Sequence, residues 1–171
     1  MDPVTAVLAR TWPVTLRTPR LVLRPVAPGD APVMGELLTD PQVRAFLGGP
    51  ACAERVEARR REYPAKPGAW AVAPAAGGAA IGLVTLAADY RREGRAEVSY
   101  QLLPAAWGSG LGREAVAAAL AWWARTVPDG TPVIAVTQRA NHRSRRLLAA
   151  LGLQLADTFV EFGEPQCLYT T

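Results

Sequence analysis

The 171-residue chain is expected to fold as a single mixed α+β domain, a largely antiparallel sheet flanked by helices. Three observations predict this. Three short apolar strands follow one another across residues 70–103, the hydrophobic period changes from two to about 3.6 after Pro104, and two more strands close the chain after Gly152. The length suits one core, and half of the residues are hydrophobic against a fifth charged, as in a packed globular domain rather than a disordered or fibrous one.

Residues 1–15 read as a loose N-terminal arm, and the alternating Leu-Val-Leu-Arg-Pro of 21–25 as a first strand. Asp30 is placed to cap a helix running to Leu38. Asp40 before Pro41 carries the signature of a second short helix, stopped by Gly48-Gly49-Pro50. Residues 52–63, with Val56 among many charges, suggest a mostly exposed helix. Strands at 70–73, 81–87 and 96–103 then form a meander, joined by Gly77-Gly78 and by a polar loop at 89–95. Val116, Leu120 and Trp123 fall at helical spacing up to a break at Pro128-Asp129-Gly130. A buried strand at 133–137 precedes a helix from Asn141 to Gly152, whose glycine suits the residue after a helix end. Strands at 154–162 and 166–170 complete the order.

Composition narrows the classes of function. Lys66 is the only lysine among 19 basic residues, which with 15 acidic ones give a net charge of +4. This balance fits a solvated arginine-rich surface, or attraction of a phosphorylated ligand. Arg59-Arg60-Arg61 lies in an amphipathic pattern without interleaved aromatics, so it reads as a wet helix face and nucleic acid is not the expected partner. Cys52 and Cys167 lack histidines nearby, which excludes a zinc pattern or disulfide framework, and no metal is expected. No secretory pattern opens the chain, and Pro74 and Gly77-Gly78 break the uncharged stretch 67–88 that could otherwise suggest a membrane span. A cytoplasmic protein, alone or as a homodimer, is the expectation.

The most informative segment is Trp107-Gly108-Ser109-Gly110-Leu111-Gly112-Arg113-Glu114-Ala115, between a strand and a helix. Its glycines let the main chain approach a ligand closely, and the unpaired N–H groups of a helix start favour a phosphate; a tight strand-to-helix turn is the alternative. A Walker loop would need a lysine after its last glycine, and Lys66 lies elsewhere. The spacing G-x-G-x-G after strands in series also fails the dinucleotide fingerprint.

With Glu114-Ala115 this segment resembles the acetyl-CoA pyrophosphate loop of the GNAT superfamily, in the branch that includes the RimJ/RimL ribosomal-protein N-terminal acetyltransferases. The run from Leu16 to Arg24, Asp40-Pro41-Gln42-Val43, Asn141-His142-Arg143-Ser144 and Leu151-Gly152 resemble further parts of that branch, so the likeness covers nearly the whole chain. Trp107 stands where the superfamily usually has Gln or Arg, and Leu153 where phenylalanine is more frequent.

The resemblance implies a GNAT-like fold and transfer of an acetyl group from acetyl-CoA to a primary amine. It places the co-substrate against Gln101, Leu102 and Leu103, the loop residues Trp107, Gly108, Ser109, Gly110, Leu111, Gly112 and Arg113, and Asn141. The backbone N–H of Gln101 would face the acetyl carbonyl and that of Leu103 the pantetheine arm. Glu97 would be the general base, directly or through water, and is otherwise a surface glutamate. A tyrosine that protonates the leaving thiolate is replaced by Leu148, which leaves Ser144 as the weaker candidate; Tyr100 reads as packing. His142, the only histidine, reads as a solvated helix-start residue, and no G-x-S-x-G elbow accompanies it. Arg139, Arg143, Arg145 and Arg146 could reach CoA phosphates or be simply exposed.

Other classes remain: a GNAT-fold module that binds CoA without efficient turnover, and a nucleotide-binding domain of another fold. Candidate acceptors are a protein N-terminus, a polyamine, an amino acid or an aminoglycoside, with Glu54, Glu57 and Glu62 as conceivable contacts for a cation.

Overall fold

The first helix, α1 (Pro3–Thr11), stands where a loose arm was expected. Asp2 accepts a hydrogen bond from the N–H of Val4 at 2.7 Å, and Pro3 is preset for the first helical position. Val4 and Leu8 are buried, and Trp12 packs edge-on to Trp70 at 5.1 Å, so aromatic contact ties this segment to the core. Its local signals, Asp2 before Pro3 and Val4 with Leu8 four residues apart, are the ordinary ones for a short helix, and they outweigh the reading of the segment as an arm. The computed structural model describes residues 1–127 and 130–171.

A short β1 (Leu16–Arg17) and β2 (Leu21–Pro25) lead to α2 (Ala31–Thr39) and α3 (Ala53–Glu62). Asp30 precedes α2 but does not cap it. Its carboxylate is drawn instead into a two-pronged pair with Arg24, at 2.7 and 2.9 Å, and accepts the N–H of Ala27. Asp40 does accept from the N–H groups of Gln42 and Val43, yet residues 41–48 remain a series of turns rather than the expected helix.

The meander follows as β3 (Ala69–Pro74), β4 (Gly82–Ala88) and β5 (Ala96–Leu102), and then α4 (Leu111–Thr126) crosses to β6 (Val133–Gln138). Of the predicted break after α4, Pro128 and Asp129 lie outside the described residues. Next come α5 (His142–Ala150), β7 (Gln154–Glu161) and β8 (Glu164–Thr170), in a single α+β domain whose sheet order is β1-β2-β3-β4-β5-β6-β8-β7. Every neighbouring pair is antiparallel except β5 with β6, where α4 carries the chain back so that β6 starts beside the start of β5; α2 and α3 also lie between β2 and β3, but they return the chain antiparallel.

The sheet buries both faces. Trp70 and Val72 point to one core with α1, α4 and α5, while Ala69 and Ala71 point to a second with Met34, Leu37 and Tyr63. This explains the unbroken apolar run of β3. Leu148 and Leu153 fill the first core, and Cys52 and Cys167 are free. Among the described residues, no helix is long and apolar enough to cross a membrane, and no cluster of metal-ligating side chains occurs.

Candidate active site

β5 and β6 pair only at Ala96 with Val133 and at Glu97 with Ile134. Beyond that point β5 stays in register with β4 as far as Leu102, and β6 follows β8. Each strand is held from its outer side, so their inner edges part and open a cavity of about 560 Å³.

Strand parity decides which main-chain groups face this gap. The N–H of Asp89 donates to the carbonyl of Arg95, and the N–H of Leu103 donates to that of Ile81 at 2.8 Å, so odd-numbered residues of β5 bond to β4. The N–H of Ala96 donates the other way, to Pro132. The amides expected at Gln101 and Leu103 are therefore turned toward β4, and those of Tyr100 and Leu102 face the gap. A one-residue slip reverses every group along a strand.

The gap ends at the glycine turn. Gly108 and Gly110 have φ of 79° and 80°, a region that a side chain disfavours, and a Cβ on Gly108 would meet nothing within 4 Å. Gly110 is the N-cap of α4 and has no side chain to satisfy its first N–H groups, which leaves them for an anion. Gly112 has a different role, since a Cβ there would press the side chain of Leu147 at 3.3 Å. The turn is braced from outside. Glu114 accepts from the Thr18 hydroxyl, from the Arg20 N–H at 3.0 Å and from Arg20 Nε at 2.6 Å, while Arg20 Nη1 donates to the carbonyl of Ser109. The hydrogen bond from Thr18, then those from Arg20, hold the Glu114 carboxyl below the usual range.

The indole N–H of Trp107 donates to the carbonyl of Leu102 at 2.8 Å, and the guanidinium of Arg143 lies 3.5 Å over the Trp107 ring. Asn141 accepts the N–H of Ser144 and so caps α5. Ser144 Oγ in turn lies 2.7 Å from the hydroxyl of Tyr100, and both residues line the cavity. Burial is the main influence on Tyr100 and pushes it up to about 12, so this phenol stays protonated at neutral pH. It is a wall residue with a polar tip, beyond the packing role expected.

Of the predicted residues, Gln101, Leu102, Trp107, Gly108, Gly110, Gly112, Arg113, Asn141 and Ser144 line the cavity. Leu103, Ser109, Leu111 and Glu97 do not. Glu97 shares a face of β5 with Ser99 and Gln101 but sits where β5 is still paired with β6, and there Arg91 holds it at 2.8 Å and also grips Glu161 at 2.7 Å. Burial pushes the Glu97 carboxyl up from its ordinary range, against the pull of Arg91. Asp89 joins this network through Arg91, whose N–H it accepts at 3.0 Å, and is itself held by Arg95 at 2.6 Å. Arg146 reaches the cavity, Arg145 bonds the hydroxyl of Tyr169, and His142 is exposed. Phe46 and Leu47 also line it, from turns whose sequence carries no periodic signal.

Residues 20–154 match the family of the acetyltransferase (GNAT) domain. Among solved structures, a GNAT-family acetyltransferase from Bacillus anthracis superposes with a TM-score of 0.79 at 18% identity, covering 92% of this chain and 98% of its own. An acetyltransferase from Agrobacterium tumefaciens does so at 0.78 and 23%, covering 93% and 94%. The ribosomal-protein-S5-alanine acetyltransferase of Vibrio fischeri gives 0.69 at 17% identity, covering 93% and 96%.

Proposed function

The chain belongs to the GNAT acetyltransferase family, and on that premise we propose that it moves an acetyl group from acetyl-CoA to a primary amine by direct attack in a ternary complex. The observation that carries this reading is the gap between β5 and β6, lined by main-chain groups and closed by an uncapped helix start. A pyrophosphate fits the N–H groups after Gly110, the extended arm fits the edge of β5 at Tyr100 and Leu102, and Arg143 and Arg146 offer charge to further phosphates.

The acceptor nitrogen forms its bond to the thioester carbonyl carbon as the carbon–sulfur bond breaks, and that electron pair leaves on sulfur. The N–H of Tyr100, facing the gap, stabilises charge developing on the carbonyl oxygen. The proton of the attacking amine passes to Glu97, directly or through water; its raised pKa suits a base, and its place outside the cavity lining favours the water route. The Tyr100–Ser144 hydroxyl pair donates a hydrogen bond to the departing sulfur. A thiolate with a conjugate acid near pKa 8.5 needs no more, and a phenol at about 12 gives it no full proton. This pair supplies what Leu148, fully buried in the core, does not, and so favours turnover over a binding-only module.

Release of CoA thiol from acetyl-CoA, followed over a panel of amines and N-terminal peptides, tests the reading. The expected result is amine-dependent release. Binding of acetyl-CoA without release from any amine would favour a sensor.

A further inference from the structure

A second cavity, of about 210 Å³, opens on the other face of β5. It shares Ser99, Tyr100 and Gln101 with the first, so the two meet across the strand where β5 leaves β6. Its walls carry Arg44 from the turns after α2, Arg55 and Arg59 from α3, and Lys66.

These cations are poorly compensated. Glu62 pairs with both Arg59, at 2.6 Å, and Lys66, at 2.7 Å. Arg55 has no ion pair among the described residues. Arg44 is only 6% exposed, and its guanidinium donates to two main-chain carbonyls, of Leu47 and of Gly49, without a carboxylate. Buried charges are ordinarily paired, because an ion without its counter-charge bears the full penalty of leaving water. Burial, then Arg55 and Arg59, lower the Arg44 pKa, the mark of a cation among cations. The side-chain oxygen of Gln101 is also buried here with no hydrogen-bond partner. Of the acids that might have drawn a cationic acceptor, Glu57 pairs with Arg60 and Glu62 is shared as above, while Glu54, exposed and without an ion pair among the described residues, does not line the cavity.

Building on the acetyl-transfer reading, we propose that this cavity anchors the acceptor, and that the acceptor is an amine bearing a carboxylate a few bonds from its nitrogen. Arginine forks suit a planar carboxylate, and the cavity admits a group of amino-acid size. Anchored there, the molecule directs its amine past Ser99 and Gln101 into the gap. The carboxylate comes from a free amino acid or from an acidic residue near a peptide N-terminus. Spermidine, all cation, is repelled.

Calorimetric titration with acetyl-CoA first tests the underlying reading. Thiol release is then compared for L-aspartate, aspartic acid diamide, spermidine, and a short peptide beginning Ala-Asp beside one beginning Ala-Lys. A carboxylate-bearing acceptor should exceed its uncharged or cationic counterpart in kcat/KM by about 10-fold or more, and the better of aspartate and Ala-Asp peptide identifies the source. Arg55→Gln and Arg59→Gln should raise KM for that acceptor about 10-fold with kcat little changed, and leave acetyl-CoA binding as it was. If acetyl-CoA binds but the carboxylate confers no advantage, including when no amine reacts, the proposal is overturned and donor binding stands. If acetyl-CoA does not bind, the acetyl-transfer reading falls and takes this proposal with it.

Discussion

The two faces of β5 are built by different means. On the gap side, the groups open to a ligand are chiefly main-chain ones: the inner edge at Tyr100 and Leu102, two glycines at positive φ, and a helix start without a cap. On the opposite side, the walls are charged side chains, Arg44, Arg55, Arg59 and Lys66 around one cavity and Glu97 with Arg91 beside it. Backbone recognition restricts which residues may stand in a turn, since few besides glycine accept those angles. Side-chain recognition can be exchanged residue by residue, which suits one fold to many acceptors.

The largest effect should come from breaking the gap side. Gly110→Val places a branched side chain at φ 80° beside the helix start. Acetyl-CoA at a hundred times its dissociation constant should stabilise the wild type by about 2.7 kcal/mol, and thermal melts should show that gain abolished in the variant.

Next, Glu97→Gln should slow transfer by about 10²-fold with acetyl-CoA binding intact. Because burial raises the Glu97 pKa, the wild-type rate should fall on acidification at a pH above the ordinary glutamate range. The sign follows from the role: a base must be ionised, and a raised pKa moves its loss of charge to higher pH. The pH–rate profile of the Gln variant should lack that limb.

A smaller loss, about 10-fold, is expected for Tyr100→Phe, and less for Ser144→Ala, since each removes one hydrogen bond to a group that already leaves readily. Steady-state rates with one accepted amine rank them; Ser144→Ala matching Glu97→Gln would make the serine the principal donor. Least of all, Asn141→Ala should lower stability by about 1 kcal/mol through the lost cap while raising KM for acetyl-CoA, measured by melts and kinetics together.

The same contrast explains what was legible in the sequence. The meander, the crossover helix and the glycine turn announce themselves through period and through residues with restricted backbone angles. For α1 the local signals, Asp2-Pro3 and the Val4–Leu8 spacing, say helix but not where it docks; the Trp12 contact with Trp70 that ties the segment to the core joins distant residues. Asp30 reads as a cap from its neighbours alone, and only the fold reveals Arg24 as its competitor. Motif matching found the strand that lines the gap but not its parity, which depends on where β4 begins. The brace from Thr18 and Arg20 to Glu114 spans more than ninety residues, and the arginine-lined cavity assembles from α2 with its following turns, α3, β4 and β5, so neither leaves a local pattern.

Amide hydrogen exchange, read residue by residue with and without acetyl-CoA, tests the gap most directly. The N–H groups of Tyr100 and Leu102, with no strand opposite, and those of Leu111, Gly112 and Arg113 at the start of α4 should slow when the ligand is added. The N–H of Leu103, already bonded to Ile81, should change little. Slowing at Gln101 and Leu103 but not at Tyr100 and Leu102, or protection confined to the arginine-lined face, would contradict the account.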